Sequence, residues 1–189
     1  MVGTDWDYFV ETLEPIISVE QFRVLCPGLS STDEQLSAII GAVSASIRNY
    51  CGWHVSPVLE CKYVGAGDGS LLMLPAMGVT SVDSLSIHGV AVTDYEWNYN
   101  GMVRYKHGFP DTFRSVTCEY SAGFSSDAIE QVVMQIASNA LVAAPGVVSE
   151  RVGDVSITYN QTGTGITGGI SLLPRDHELL APYRLSRAW

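Results

Sequence analysis

STDEQLSAIIGAVSASIRNYCGW, residues Ser31–Trp53, is the stretch from which the fold of this chain can be read. Apolar residues fall at Leu36, Ile39, Ile40, Val43, Ile47, Tyr50 and Cys51, the i, i+3, i+4, i+7 recurrence of a helix with one buried face. Gln35, Ser37, Ser44, Ser46, Arg48 and Asn49 fall on the opposite face. Ser31-x-x-Glu34 and Thr32-x-x-Gln35 both read as capping boxes, which satisfy backbone donors left open in a first turn. Gly52 is a natural stop.

A helix with a single oily stripe needs a partner, and one other stretch supplies it. Ile129, Val132, Val133, Ile136 and Ala140 repeat the helical period, with Asp127 and Glu130 at the end where the helix dipole favours acids and Pro145-Gly146 at the other. Between the two stripes the period changes to two. Pro57–Val64 reads as a strand, Gly65–Gly69 as its turn and Leu71–Leu74 as the return. Val82–His88 reads as another strand, Tyr95–Tyr99 and Met102–Tyr105 as a hairpin about Asn100-Gly101, and Val116–Tyr120 as a strand with alternate faces in and out. The expectation is one small antiparallel sheet of five or six strands.

The flanks are shorter. Residues 1–17 have aromatic side chains but little period and read as an N-terminal arm. Ser18-x-x-Gln21 caps a short helix, Val19–Leu25, stopped by Pro27-Gly28. Glu150–Tyr159 reads as a hairpin turning at Gly153-Asp154, and the Gly/Thr-rich run Asn160–Gly169 as a flexible loop. Leu172–Leu185 closes the chain with a short helix that has Pro174 in its first turn and Leu179 and Leu180 on one side. The fold class expected is α+β: a helical core of two long packed helices plus short N- and C-terminal helices, with an inserted small antiparallel β module. The divisions are 1–17 for the arm, 18–56 and 121–185 for the helical core with hairpin 150–159, 57–120 for the inserted module, and 186–189 for a tail.

At 189 residues the chain can bury roughly 70% of its unfolded surface and needs neither disulfide nor metal to fold. Lys and Arg number 10 against 20 for Asp and Glu, a net charge of −10, which would repel phosphate backbones and argues against an ordinary nucleic-acid binder. Only 16% of residues are charged and 47% are hydrophobic, a balance that suits a surface partly covered by other subunits. Cys26, Cys51, Cys61 and Cys118 lie in apolar runs with no C-x-x-C and read as buried free thiols. Met1–Pro15 has no basic segment of the kind that opens a secretory signal, and no apolar run is long enough to span a membrane.

Candidate chemistry is sparse. The Gly65-x-Gly67-x-Gly69 run and the glycines at 163, 165, 168 and 169 lack the strand-to-helix setting and the lysine of a phosphate loop, so they read as turn and linker glycines. His54, His88, His107 and His177 are scattered singly without zinc spacing, and no serine or histidine sits in an elbow or triad context. No cofactor is expected. A hydrolase with an unrecognised site is a remote alternative, since triads are defined by geometry rather than by order. Tyr95, Trp97, Tyr99 and Tyr105 cluster about Asn100-Gly101 and offer a stacking platform for a sugar or other ligand. Cross-strand aromatic pairing in a small sheet accounts for them as well and is the favoured reading. A carbohydrate-binding module would show at least two of these rings exposed and coplanar.

Several phrases, taken in order, resemble a known family. Ser18-Val-Glu-Gln-Phe22 before Pro27-Gly28, the capped helix ending Ile47-Arg-Asn-Tyr-Cys-Gly-Trp53, Val116–Phe124 (VTCEYSAGF) leading into a helix, Glu150-Arg-Val-Gly-Asp-Val155 and Leu180-Ala-Pro-Tyr-Arg184 are together similar to the head-tail connector (adaptor, or head completion) proteins of tailed bacteriophages and prophages. The likeness covers most of residues 18–185 and is one of arrangement, since none of these phrases is a catalytic signature.

The resemblance implies a structural virion protein and no enzyme. It implies a homo-oligomer, commonly a dodecameric ring, in the virion neck between the portal protein and a stopper or tail completion protein, assembled in the host cytoplasm. DNA would pass through without sequence-specific binding, and no membrane is involved. Carried onto this chain, Pro174, Arg175, Leu179, Leu180, Tyr183, Arg184 and Leu185 would face the portal. Glu150, Arg151, Gly153, Asp154 and Tyr159 would belong to a hairpin near neighbouring subunits or the channel. The acidic balance suits such a conduit, because a wall of like charge offers a sliding duplex no sticky sites. The C-terminal segment, with little core of its own, is expected to be mobile in the free monomer and ordered by the portal.

Overall fold

The computed structural model describes residues 5–8, 13–28, 31–125, 127–142, 149–152, 155–158 and 172–185. In chain order the elements are β1 (Asp5–Tyr8), α1 (Val19–Leu25), α2 (Asp33–Cys51), β2 (Leu59–Gly65), β3 (Gly69–Met73), β4 (Val79–Ile87), β5 (Val90–Ala91), β6 (Tyr95–Trp97), β7 (Met102–Phe109), β8 (Val116–Ala122), α3 (Asp127–Val142), β9 (Ser149–Val152), β10 (Val155–Thr158) and α4 (Pro174–Leu180), with a 3-10 turn over Ala181–Tyr183. The protein is α+β. It divides into two compact units, one of Met1–Leu13, Gly52–Ser125 and Leu185–Trp189, the other of Glu14–Cys51 and Ser126–Arg184.

The second unit holds the helices. The α1 cap forms as its sequence dictates: Ser18 Oγ accepts the Gln21 N–H at 3.2 Å, and Gln21 Oε1 accepts the Ser18 N–H at 2.8 Å. Of the two overlapping boxes before α2, the Thr32 one forms, with reciprocal Thr32–Gln35 bonds of 3.3 Å. Arg23 reaches from α1 to Asp33 Oδ1 and to the Ser31 carbonyl, tying the two helix ends together. Leu36, Ile40, Val43, Ile47 and Cys51 are buried on α2, and Ile129, Val132, Val133, Ile136 and Ala137 on α3, which packs against it.

One residue read as polar-face proves to be core. Ser44 is buried, and its hydroxyl donates to the Ile40 carbonyl at 2.7 Å while accepting the Ile16 N–H at 3.0 Å. A small hydroxyl that bonds back along its own helix tolerates burial because both of its functions are satisfied. It also fastens the segment before α1, where Ile16 and Ile17 are buried and the Glu14 carbonyl accepts from Arg48. This part of the lead-in, read from sequence as an arm, therefore belongs to the packed unit, while Asp5–Tyr8 forms a strand.

The first unit contains two antiparallel sheets where the sequence suggested one. The larger runs β1-β2-β8-β4-β5 and the smaller β3-β7-β6. Strand β8 is central, with Val116, Cys118, Tyr120 and Ala122 alternately buried. Leu72, Val103 and Phe109 are buried on the smaller sheet, and the Tyr95 hydroxyl crosses to the larger one, donating to the Val82 carbonyl at 3.3 Å.

The expected hairpin of β2 with β3 does not exist. β2 pairs with β1 and β8, and β3 pairs with β7. Gly65–Gly69 is a crossing between sheets: the Gly67 N–H bonds to the Pro110 carbonyl at 3.1 Å, and a Cβ on Gly67 would collide with the Phe109 side chain. The β6–β7 hairpin is as expected, but its loop is longer than a two-residue Asn-Gly turn. The Gly101 N–H closes onto the Asn98 carbonyl at 3.1 Å, and Asn98 Oδ1 accepts from the Asn100 and Met102 N–H groups. Gly101 then sits at φ 81°, the left-handed position that such a loop requires of its last residue.

Candidate interaction surfaces

The C-terminal segment is built outward from Pro174, whose missing N–H costs nothing in a first helical turn. Asp176 is buried and accepts the Leu173 N–H at 2.9 Å, fixing the entry of α4. Arg175 Nε lies 3.7 Å from Asp176 Oδ1, and the Gln135 side-chain oxygen of α3, with its amide turned to fit, accepts from the same guanidinium. Leu180 is 0% exposed and Leu179 53% exposed. The two leucines, about 100° apart on the helix, are therefore divided between the packed side and the outside by where α4 docks. Leu180 anchors α4 to the unit and Leu179 faces outward.

Tyr50, near the end of α2, is the centre of a second attachment. Its ring stacks on His177, with centroids 4.5 Å apart and planes 5° from parallel, and its hydroxyl donates to the His177 carbonyl at 3.1 Å. The Arg184 guanidinium carbon lies 5.4 Å from the same ring centroid, within cation–π range. Beside it the Cys51 thiol is pushed up to about 12 by burial, against a smaller pull from the Arg184 charge. Residues 172–185 hold to the helices through Leu180, Asp176 and the Tyr50–His177 stack. Tyr183 and Leu185 are half-buried, while Pro174 and Arg184 are exposed.

The hairpin expected at 150–159 is present as β9 and β10, paired antiparallel with Val152 opposite Val155, Arg151 opposite Ser156 and Glu150 opposite Ile157. Glu150 and Arg151 are strand residues. Gly153, Asp154 and Tyr159 lie outside the described residues, as does the Asn160–Gly169 run.

The aromatic cluster is tied into the fold. Tyr95 stands opposite Tyr105 across the β6–β7 pair. Tyr105 packs against His107 and Phe109, and Tyr99 meets Phe124 edge-on at 6.0 Å. Phe124 in turn meets Trp53, which meets His54. Trp97 and Tyr99 are exposed by 40% and 55%. Tyr95 is half-buried, and burial raises the pKa of its hydroxyl.

All four cysteines are free. Burial pushes the Cys61 and Cys118 thiols up to about 12, as it does Cys51, so none of these three is a thiolate nucleophile at neutral pH. Among the described residues no group of three or more His, Cys, Asp or Glu side chains could hold a metal ion, and no helix is long and apolar enough to cross a membrane.

No family profile matches the chain, and no curated protein matches it. Solved structures do. A chain in the neck of the native gene transfer agent particle, computed with C12 symmetry, is similar over 98% of this chain and 97% of its own length, with a TM-score of 0.63 and 14% identity. The chain shares the fold of that neighbour. The neck of the empty particle, computed with C6 symmetry, contains a chain similar over the same shares with a TM-score of 0.62 and 14% identity. The virion of the native particle matches over 97% of both chains with a TM-score of 0.59 and 14% identity. The likeness spans nearly the whole chain, and at this identity it is a likeness of fold.

Proposed function

We propose that the chain is a structural neck component, a ring-forming connector that joins a portal to a stopper or tail completion protein and lines a conduit for DNA, with no reaction to catalyse. The observation that carries this reading is the whole-chain likeness to chains of symmetric necks. In this reading α2 and α3 form the connector's helical core, with 57–120 as an inserted β module. Pro174, Arg175, Leu179, Leu180, Tyr183, Arg184 and Leu185 belong to the portal-facing element. Glu150, Arg151, Gly153, Asp154 and Tyr159 form the hairpin toward neighbours or the channel. Assembly would occur in the host cytoplasm, with twelve copies per ring in the virion. A net charge of −10 supports passage of DNA without retention.

Negative-stain electron microscopy of the purified protein, alone and mixed with its portal, tests the proposal. Rings alone or capping the portal are expected. Isolated particles in both samples, at concentrations where the portal itself is a ring, would overturn it.

A further inference from the structure

The outward face of the β3-β7-β6 sheet is not finished for solvent. Leu71 and Met73 on β3 point away from the core and are 48% and 57% exposed, and Met73 is paired with the half-buried Met102 on β7. Beside these apolar side chains stand Arg104, opposite both Leu71 and Glu96, and Lys106. Each cation has an acid of its own: Arg104 Nη1 lies 3.9 Å from Glu96 Oε2, and Lys106 Nζ lies 2.6 Å from Asp94 Oδ2. The face therefore joins the apolar Leu71, Met73 and Met102 to two ion pairs whose charges cancel, on a chain whose net charge is −10.

The edge of the same sheet points the same way. Proteins guard exposed edges with very short strands, charges or bulges, because the unpaired backbone groups are a template for another chain. Among the described residues, the first unit's two sheets end in β1, β5, β3 and β6. β1 carries Asp5 and Asp7, β6 carries Glu96, and β5 has two residues. β3, Gly-Ser-Leu-Leu-Met, is five residues long and has no charge. Its bulge lies between Gly69 and Leu71, and Asp68 bridges back to Leu71, which leaves Leu72 and Met73 as the stretch of this edge in regular register without such a bridge.

We propose that this face and the β3 edge form one half of the contact between neighbouring copies of the chain. The proposal rests on the ring reading above and names the surface that the ring uses. Two copies that each carry −10 repel across most of their surfaces, and approach costs least where the charges already cancel. A ring needs a heterologous contact, in which this patch meets a different one on the neighbour. Three strands about 4.8 Å apart and five residues of about 3.3 Å each cover roughly 250 Å². A stable interface takes about 800 Å² per partner. The patch is thus one element of a larger contact, and disrupting it should weaken assembly rather than unfold the subunit.

The experiment places p-benzoylphenylalanine at Leu71 in a mixture of unlabelled and nitrogen-15-labelled full-length chains, with irradiation and mass spectrometry at a concentration where sedimentation shows oligomers. Cross-links between light and heavy chains are expected. Cross-links confined within one chain, or none, overturn the proposal. In parallel, Leu71→Lys with Met73→Lys should weaken self-association about tenfold or more with little change in melting temperature. Rings of the double variant that form at the wild-type concentration would overturn this surface while leaving the neck reading intact. A wild-type protein that forms no oligomer, alone or with portal, would overturn both.

Discussion

The imidazole of His177 lies flat on the phenol ring of Tyr50, 4.5 Å between centroids, while the Tyr50 hydroxyl donates to the carbonyl of the same histidine. Ring face and backbone of one residue are thus held by a single side chain 127 positions away. The first prediction follows from this double hold. Tyr50→Ala should free α4 locally, speeding amide exchange over residues 177–184 by a factor of about ten, the equivalent of about 1.4 kcal/mol. Tyr50→Phe, which keeps the stack, should do less. Unchanged exchange in Tyr50→Ala would show that Leu180 and Asp176 hold the segment by themselves.

Ile136 is buried on α3, whereas Ala45 on α2 is exposed. Ile136→Asp places an unpaired carboxylate in the core at a cost of about 3 to 5 kcal/mol. Ala45→Asp should cost about 0.7 kcal/mol or less, the difference in helix propensity. Denaturant titration distinguishes the two, and equal midpoints would mean that the α2–α3 contact contributes little to stability.

Two glycines should respond to alanine with opposite signs. Gly101 has φ 81°, and a Cβ there would strike the Ala76 carbonyl oxygen, so Gly101→Ala should destabilise by about 1 to 3 kcal/mol. Gly41 lies inside α2 with open space where its Cβ would be, so Gly41→Ala should stabilise by about 0.5 to 1 kcal/mol. Melting curves read both directly. A gain at 101 or a loss at 41 would contradict the backbone description.

The buried thiols set an alkaline limit. Cys51, Cys61 and Cys118 titrate at about 12 in the fold against 9.0 for an ordinary thiol, and burial likewise raises Tyr63. As pH rises past 9.0 the unfolded chain loses these thiol protons before the folded one does, so the thiols lower stability between 9.0 and about 12 and add no pH dependence below that range. Melting temperature measured from pH 7 upward should be level and then decline, with a shallower decline for Cys118→Ala. An identical slope in that variant would remove Cys118 as a contributor.

Trp97 and Tyr99 are the two exposed rings of the aromatic hairpin, and Tyr99 is edge-on to Phe124. The intact protein should give no signal on a glycan array. A hit lost in Trp97→Ala would restore the sugar-binding alternative.

Local features were the most legible in the sequence. The α1 cap, the Thr32 cap of α2 and the period of both long helices involve residues within a few positions of one another, where spacing alone determines the outcome. Strand partners were not legible: Leu71 looks like the return of β2, yet its mate Arg104 is far along the chain, and only packing of the two sheets selects it. Ser44 looked solvent-facing because nothing in α2 announces that Ile16 will need an acceptor. Tyr50 was legible as part of a stripe, but not its stacking on His177, since a histidine with no metal spacing gives no local signal. The same limit applies to Leu179 and Leu180, whose opposite fates depend on where α4 docks.

Strand β8 has a consequence in time. Its neighbours β2 and β4 both precede it, with Lys62 and Glu119 bonded across 57 positions and Ser84 and Glu119 across 35. The large sheet therefore cannot close until Ala122 has left the ribosome, and until then β2 and β4 lack the strand that pairs with both. Synthesis at about 5 to 20 residues per second makes that wait a matter of seconds, long against the microseconds in which a local hairpin forms. The nascent chain is most exposed to wrong pairing during this interval, and translation speed over residues 66–122 becomes a variable in how much protein reaches its native state.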